Sequence, residues 1–197
     1  DVRIDPAQEP NDPWFINWQK NKTQQNAPTA WDTSVGAPSV VVAIADTGVN
    51  CTHEDLQANC VEKTHTDVQG HGTAVAGVIG AVGNNGIGVA GTVWQSSLMS
   101  IVVSDSAGAA SYSAIARAIT DAANRGARVV NVSYQVGGSA AVQKAAKYHS
   151  PFLSLQNLNV GFSRIRSILN VSLSPLSTIE EVHSTKSPIL ILTILKP

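Results

Sequence analysis

The sequence has 197 residues, of which 43% are hydrophobic and 14% are charged, and its formal net charge is −1. This length and composition allow one α/β domain with a sizeable core and exclude a disordered chain. The charge pattern offers no surface for nucleic acid or an anionic membrane, and no apolar run is long enough for a membrane helix.

The N-terminal residues 1–36 are polar and carry prolines at positions 6, 10, 13 and 28. This composition predicts an extended N-terminal arm. The chain begins at Asp1 and shows no charged-then-apolar signal segment. We therefore expect that its N-terminus is processed or that it is cut from a longer precursor.

The middle of the chain, residues 37–149, alternates between short apolar runs and helical patterns. In chain order this predicts a strand at 40–45, a helix at 74–82, a strand at 97–103, a helix at 111–125, a strand at 129–132 and a helix at 139–148. Strands that alternate with helices imply right-handed crossovers and a mostly parallel sheet. Ligand chemistry in such sheets gathers at the carboxyl ends of strands, where Asp46 and Ser133 are predicted to lie.

The composition changes near residue 149. Residues 1–149 contain 24 alanines and 14 glycines, whereas residues 150–197 contain no alanine and one glycine. The apolar residues of this C-terminal part follow neither the strand period nor the helix period, which argues against a well-folded segment. We predict a boundary here, with an atypical tail at 150–197 that does not belong to the preceding fold.

Two cysteines, Cys51 and Cys60, lie in a stretch that is predicted to be a loop. A disulfide between them would fit a secreted protein, and two free thiols would fit the sequence equally well. A metal site is disfavoured because no second Cys/His pair has ligand spacing.

Asp46 and His71 are the main candidates for chemistry. Asp46 ends an apolar run, and His71 lies between two glycines at a predicted helix start. Taken alone, each residue could have a structural role, and for Asp46 this would be the role of a turn residue. A histidine that acts as general base needs a carboxylate to fix its tautomer, and these two elements could meet at one edge of the sheet. Asp46-Thr47-Gly48 is also an aspartic-protease signature, but the predicted helices argue against that all-β class.

Several motifs occur together in one order, at residues 42–49 (VAIADTGV), 53–56 (HEDL), 70–77 (GHGTAVAG), 84–91 (NNGIGVAG) and 129–134 (VVNVSY). They resemble the Asp and His blocks, and the segments that follow them, of the subtilisin-like serine proteases (subtilases, peptidase S8). The resemblance covers about residues 11–149. It implies a mostly parallel sheet with helices on both faces, truncated after about half of the fold. It also implies a serine endopeptidase in which Asp46 orients the general base His71.

The resemblance further implies a binding site for a peptide or protein substrate in extended conformation. The substrate would add a strand beside Ser133, Tyr134 and Gln135, and Tyr112 and Ile115 would line a nearby side-chain pocket. Ordinary helix packing is the alternative for these last two residues. By the same resemblance we expect an extracellular monomer with no nucleic-acid or membrane partner.

Members of this family often bind structural Ca²⁺, and no catalytic cofactor is implied. The matching positions would supply side-chain oxygens and backbone carbonyls, which suit this hard cation: Asp12, Asp55, Asn85, Gly83, Ile87 and Val89. The alternative is that residues 84–86 form a simple turn.

The sequence departs from the family pattern in two ways. Ala74 stands where many members have a second histidine, a difference that we expect to be tolerated. More seriously, the Gly-Thr-Ser block that carries the nucleophile and the region of the oxyanion-hole asparagine do not occur. Loss of the nucleophile of such a triad lowers kcat by about 10⁶, so we expect the chain as written to be inactive.

Two interpretations of this departure remain. The chain could represent an endopeptidase that is incomplete or misread, with a tail such as a retained intron or a shifted frame would give. Alternatively, it could be a truncated pseudoprotease that binds extended peptides or a protease partner without cleavage.

Overall fold

The computed structural model describes residues 9–134, 136, 139–148, 179–182 and 189–193. Its elements, in chain order, are α1 (Pro13–Trp18), α2 (Lys20–Gln24), α3 (Ala27–Trp31), β1 (Val41–Asp46), α4 (His71–Gly80), β2 (Ser97–Val102), α5 (Tyr112–Asn124), β3 (Val129–Val132), α6 (Ala140–Tyr148), β4 (Ile179–Val182) and β5 (Ile189–Thr193). The strands and helices predicted between residues 40 and 148 are all present, with bounds that differ by a few residues.

The strands form one sheet in the order β2-β1-β3-β5-β4. β1 pairs in parallel with β2 and β3, β3 pairs in parallel with β5, and β4 is the antiparallel edge strand. The predicted α/β class with a mostly parallel sheet is therefore confirmed. β4 and β5 come from the part of the chain that we predict to be a tail, whose other residues lie outside the described ones.

The interior strand β1 is buried on both faces. Val42 and Ile44 belong to the apolar cluster that includes Ala76 of α4. Ala43 and Ala45 point the other way, into the cluster formed with α5 and α6. Successive side chains of a strand point to opposite faces, so helices on both sides account for the unbroken apolar run in the sequence.

The N-terminal segment differs from the extended arm that we predict, because residues 13–31 form three short helices. Proline stands in the first turn of both α1 and α3, where its missing N–H costs nothing. Phe15 and Trp31 are buried, and the Trp31 ring lies 4.6 Å from that of Trp94, which follows α4. The extended arm was predicted from polarity and prolines, whereas the helices are stabilised by the packing of Trp31 on Trp94, which is distant in the sequence.

Lys22 on α2 connects the N-terminal helices to the rest of the domain through hydrogen bonds. Its side chain is 1% exposed, and Nζ donates hydrogen bonds to the Val78 carbonyl (2.9 Å) and to Thr92 Oγ1 (2.5 Å). Burial lowers the pKa of Lys22 to about 8, because the charged ammonium loses hydration.

Cys51 and Cys60 are joined by a disulfide, which decides between the two alternatives left open by the sequence. The bond closes the loop between β1 and α4 that carries Asp55. Within the described ranges, no helix combines the length and apolar character required to cross a membrane.

Candidate active site

The carboxyl end of β1 and the first turn of α4 bring together Asp46 and His71. His71 Nδ1 lies 2.7 Å from Asp46 Oδ1. The Asp46 side chain is fully buried, whereas that of His71 is 35% exposed. One ring edge of His71 is thus anchored inside the protein while the residue remains partly accessible to a ligand.

The contact defines which ring nitrogen of His71 holds the proton. An ionised carboxylate can only accept hydrogen bonds, so with Asp46 ionised Nδ1 carries the hydrogen and Nε2 keeps its lone pair. The backbone N–H of Thr47 donates to the same Asp46 oxygen at 2.7 Å and fixes the carboxylate. This arrangement lets His71 Nε2 take up a proton while Asp46 stabilises the resulting imidazolium.

A close approach of two backbones makes the contact possible. A Cβ at Gly72 would lie 2.0 Å from the Gly48 carbonyl oxygen and 3.0 Å from Asp46 Cβ. Glycine at position 72 therefore allows α4 to start directly against the end of β1. Gly48 itself has a φ of 108°, in the left-handed region that glycine adopts without strain.

The first turn of α4 receives hydrogen-bond acceptors from outside the helix. The N–H groups of His71, Gly72 and Thr73 donate to Gln69 Oε1 (3.1 Å), Thr47 Oγ1 (2.9 Å) and Asp67 Oδ2 (2.9 Å), respectively. Sequence reasoning missed Thr47, Asp67 and Gln69. A signal was present, since a helix that begins after glycine has no capping side chain of its own and needs a polar residue nearby.

Asp67 is buried at 5% exposure, and its pKa is lowered. Burial alone would raise the pKa of this carboxyl group. Hydrogen bonds to its charged form from Thr73, Gly70 and Thr47 outweigh that effect.

The predicted substrate residues lie beyond β3. Asn131 Nδ2 donates to Ser133 Oγ at 2.9 Å, and the Tyr134 hydroxyl donates to the Gly108 carbonyl at 3.3 Å. Both Ser133 and Tyr134 are half-buried. Burial, followed by the negative charge of Asp46, raises the pKa of Tyr134. Gln135 lies outside the described residues.

The two predicted pocket residues lie in different surroundings. Tyr112 is the first residue of α5 and is 48% exposed, so its ring is available to a ligand. Ile115 is 2% exposed and packs in the apolar cluster beneath the helix. The position of Ile115 agrees with the alternative of ordinary helix packing.

The residues predicted to hold calcium meet at the loop after α4. Asp12 and Asp55 are both buried, and the negative charge of Asp55 is one of the causes that raise the pKa of Asp12, after burial. Asp12 Oδ2 accepts from the Asn84 N–H at 2.6 Å, and Asp55 Oδ1 accepts from the Asn85 amide at 3.0 Å. The structure thus brings Asp12, Asp55 and Asn85 to one place.

The donor set at this loop fits a hard cation. Asp12 Oδ1 is buried and makes no hydrogen bond within the described part of the chain. Neither Asp12 nor Asp55 forms an ion pair with a basic side chain there. Two buried carboxylates, one with an oxygen that makes no hydrogen bond there, are of the oxygen-donor type that suits a hard cation. No group of three His, Cys, Asp or Glu side chains clusters among the described residues. The ligand role of the carbonyls of Gly83, Ile87 and Val89 stays a prediction, because no contact in the structure assigns it. The Val89 N–H donates a hydrogen bond to Asp55 Oδ2 at 2.9 Å.

Comparisons with known proteins agree with the motifs. The model of the subtilase family (Peptidase_S8) matches residues 37–171, which extends past the boundary that we predict near residue 149. Thermitase from Thermoactinomyces vulgaris is 37% identical over 148 residues, which cover 71% of this chain and 53% of thermitase. Subtilisin Savinase from Lederbergia lenta is 38% identical over 124 residues, 60% of this chain and 45% of the relative.

A solved protease structure from Pseudoalteromonas arctica PAMC 21717 shares the fold, with a TM-score of 0.60 and 29% identity. The match covers 72% of this chain and 56% of that protease. The chain therefore spans about half the length of thermitase and of subtilisin Savinase.

Proposed function

This chain belongs to the subtilase family, and on that premise we propose that it carries the general-base half of a serine-type endopeptidase. His71 is the base, and Asp46 is the carboxylate that orients it. The observation that carries the proposal is the 2.7 Å contact between His71 Nδ1 and a buried Asp46 oxygen.

The chemistry follows from the lone pair of His71 Nε2. In the complete active site of such an endopeptidase, Nε2 removes the proton from the serine hydroxyl as the serine oxygen attacks the peptide carbonyl, and Asp46 stabilises the imidazolium through the Nδ1 hydrogen. The same proton then passes to the leaving amine as the peptide C–N bond breaks. His71 ends this step neutral, ready to activate the water that hydrolyses the acyl intermediate.

The substrate is an extended peptide that lies beside Ser133, Tyr134 and Gln135. Backbone pairing along this segment supplies affinity without regard to sequence, and pockets for alternate side chains supply preference. The exposed ring of Tyr112 supports a contact with one such side chain.

The 197 residues contain no Gly-Thr-Ser block, so we propose that this chain alone binds extended peptides but does not cleave them. A fluorophosphonate probe, which labels activated serines, tests the absence of cleavage. We expect no stoichiometric labelling of the purified chain. Robust labelling at one serine would refute the claim that the chain lacks a nucleophile.

The Asp46–His71 pair is tested separately by proton NMR. A hydrogen shared between Nδ1 and a buried carboxylate should give a low-field signal that exchanges slowly with water. Asp46→Asn should abolish this signal, whereas His53→Gln should leave it unchanged. The absence of the signal in the wild-type chain would contradict the proposed base.

We further propose that Asp12, Asp55 and Asn85 bind one structural Ca²⁺. Ligand binding to the folded state alone adds about 3 kcal/mol of stability at a hundredfold excess over Kd. Calorimetric titration with CaCl₂ and thermal melts should show one site whose effect is lost in Asp12→Asn. Asp121→Asn, on the exposed face of α5, is the matched control. An equal calcium response in Asp12→Asn would reject this site.

An extracellular location is also proposed. It is supported by the Cys51–Cys60 disulfide, because such bonds persist in oxidising compartments and are rare in the reducing cytosol. Mapping the oxidation state of both cysteines in protein from culture medium and from lysate tests it; a reduced pair found only in the lysate would reject the location.

A further inference from the structure

The helix that carries His71 begins without a capping side chain of its own. Its N-cap is Gly70, which has a φ of 95° and forms no side-chain cap hydrogen bond. The first backbone N–H groups of a helix have no partner within it, and they need acceptors from elsewhere when they are buried. Something outside α4 must therefore fix the turn in which His71 stands.

Asp67 accepts a hydrogen bond from the N–H of Thr73 in this first turn and four further hydrogen bonds around the start of the helix. Its Oδ1 accepts from Thr47 Oγ1 (2.8 Å), Gln69 N (3.1 Å) and Gly70 N (2.8 Å). Its Oδ2 accepts from the backbone N–H of Thr73 (2.9 Å) and from Thr73 Oγ1 (2.5 Å). One buried carboxylate thus accepts five hydrogen bonds around the start of the helix, and a negative charge there also complements the helix dipole.

Thr47 joins this arrangement to the strand that carries Asp46. Its hydroxyl donates to Asp67 and accepts from the Gly72 N–H at 2.9 Å, while its backbone N–H donates to Asp46 Oδ1. Thr47 therefore contacts the carboxylate side and the histidine side of the pair at once. Its side chain is 3% exposed, so water does not compete for these bonds.

We infer that Asp67 and Thr47 are positioning residues that set the distance between Asp46 and His71. The inference rests on the proposed function, since it concerns the geometry of the same base. Within the described part of the chain, neither residue forms a hydrogen bond with the imidazole ring. Asp67 binds backbone N–H groups at the start of α4, and Thr47 binds both the Gly72 N–H and the Asp46 carboxylate. An active-site geometry must be held within about 0.5 Å, and this network spans the elements that must keep that distance.

The test compares isosteric substitutions in the full chain. Asp67→Asn replaces one acceptor oxygen by an NH₂ group that faces donors, and Thr47→Val removes both hydroxyl bonds without changing the volume. Thr47→Ser keeps the hydroxyl and is the matched control. The measured quantity is the solvent-exchange rate of the low-field His71 Nδ1 proton, with circular dichroism as the check of folding.

We expect the exchange rate to increase by about tenfold or more in Asp67→Asn and Thr47→Val. This increase corresponds to the free energy that is lost when one charge-assisted hydrogen bond is removed. Thr47→Ser should restore the wild-type rate. An unchanged rate in both folded variants would overturn the inference while leaving the Asp46–His71 pair intact. A missing signal in the wild-type chain would instead reject the proposed function. Global unfolding of both variants would assign the two residues a structural role and also overturn the inference.

Discussion

Replacement of Lys22 by methionine should remove a rise in stability that the protein shows between about pH 8 and about pH 10. The folded-state pKa of Lys22 is about 8, below the ordinary value of 10.5. Between these two values the unfolded chain binds more protons than the folded one, so the free energy of unfolding increases with pH. Below pH 8 both states hold the proton, and the full cost of burying the ammonium is present.

The magnitude follows from the two pKa values. A shift of this size corresponds to about 3 kcal/mol of destabilisation at neutral pH, of which about 2 kcal/mol is recovered by pH 10. Methionine has a similar length and no charge, so Lys22→Met should be insensitive to this pH range. It loses the hydrogen bonds to Val78 and Thr92, which offsets part of its gain at neutral pH.

Urea unfolding followed by the fluorescence of the buried Trp31 and Trp94 measures the effect. With an m value of about 2 kcal/mol per molar, the wild-type midpoint should rise by about 1 M between pH 8 and pH 10. Lys20→Met, at the exposed first position of the same helix, is the control and should keep the wild-type slope. Parallel pH profiles for the wild-type chain and Lys22→Met would refute this reasoning.

Three further changes have expected outcomes. Gly72→Ala would place Cβ against the backbone of the turn after β1 and should lower the free energy of unfolding by about 1–3 kcal/mol, measured by thermal melts. Gly77→Ala on the same helix places Cβ in ordinary contact and should not lower stability. Equal losses of stability in the two variants would argue against the close approach at Gly72. Reduction of the Cys51–Cys60 disulfide should lower the free energy of unfolding by about 2–3 kcal/mol. Urea titrations with and without reductant measure this difference, and coincident unfolding curves would contradict the expected loss. Ser111→Ala removes the cap of α5 and should cost about 1 kcal/mol by chemical denaturation, with Ser111→Asp as the rescuing variant.

The order of elements from residue 40 to residue 148 could be read from the sequence because each element is defined by local patterns. The run that forms β1, the helical spacing of Ile115, Ala118, Ile119 and Ala122 in α5, and the stop at Gly126 all act within a few residues. Asp46 and His71 were identified for a similar reason. Their spacing relative to a strand end and a helix start limits where the two side chains can go.

The network around the Asp46–His71 pair was not predicted. Asp67 and Thr47 are common polar residues, and no sequence period shows that five hydrogen bonds converge on one carboxylate. The pairing of β3 with β5 was missed as well, because the residues before β5 show neither the strand nor the helix period. Both features depend on which groups meet after the sheet has assembled.

By itself, the sequence determined the α/β class, the mostly parallel sheet and the meeting of Asp46 with His71 at one edge of that sheet. Tertiary structure alone decided that the N-terminal segment folds into helices, that Lys22 is buried, and that Cys51 is bonded to Cys60. The physical reason is distance along the chain. Trp31 packs on Trp94, and Lys22 binds the carbonyl of Val78, so their burial is set by partners that local preference cannot reveal.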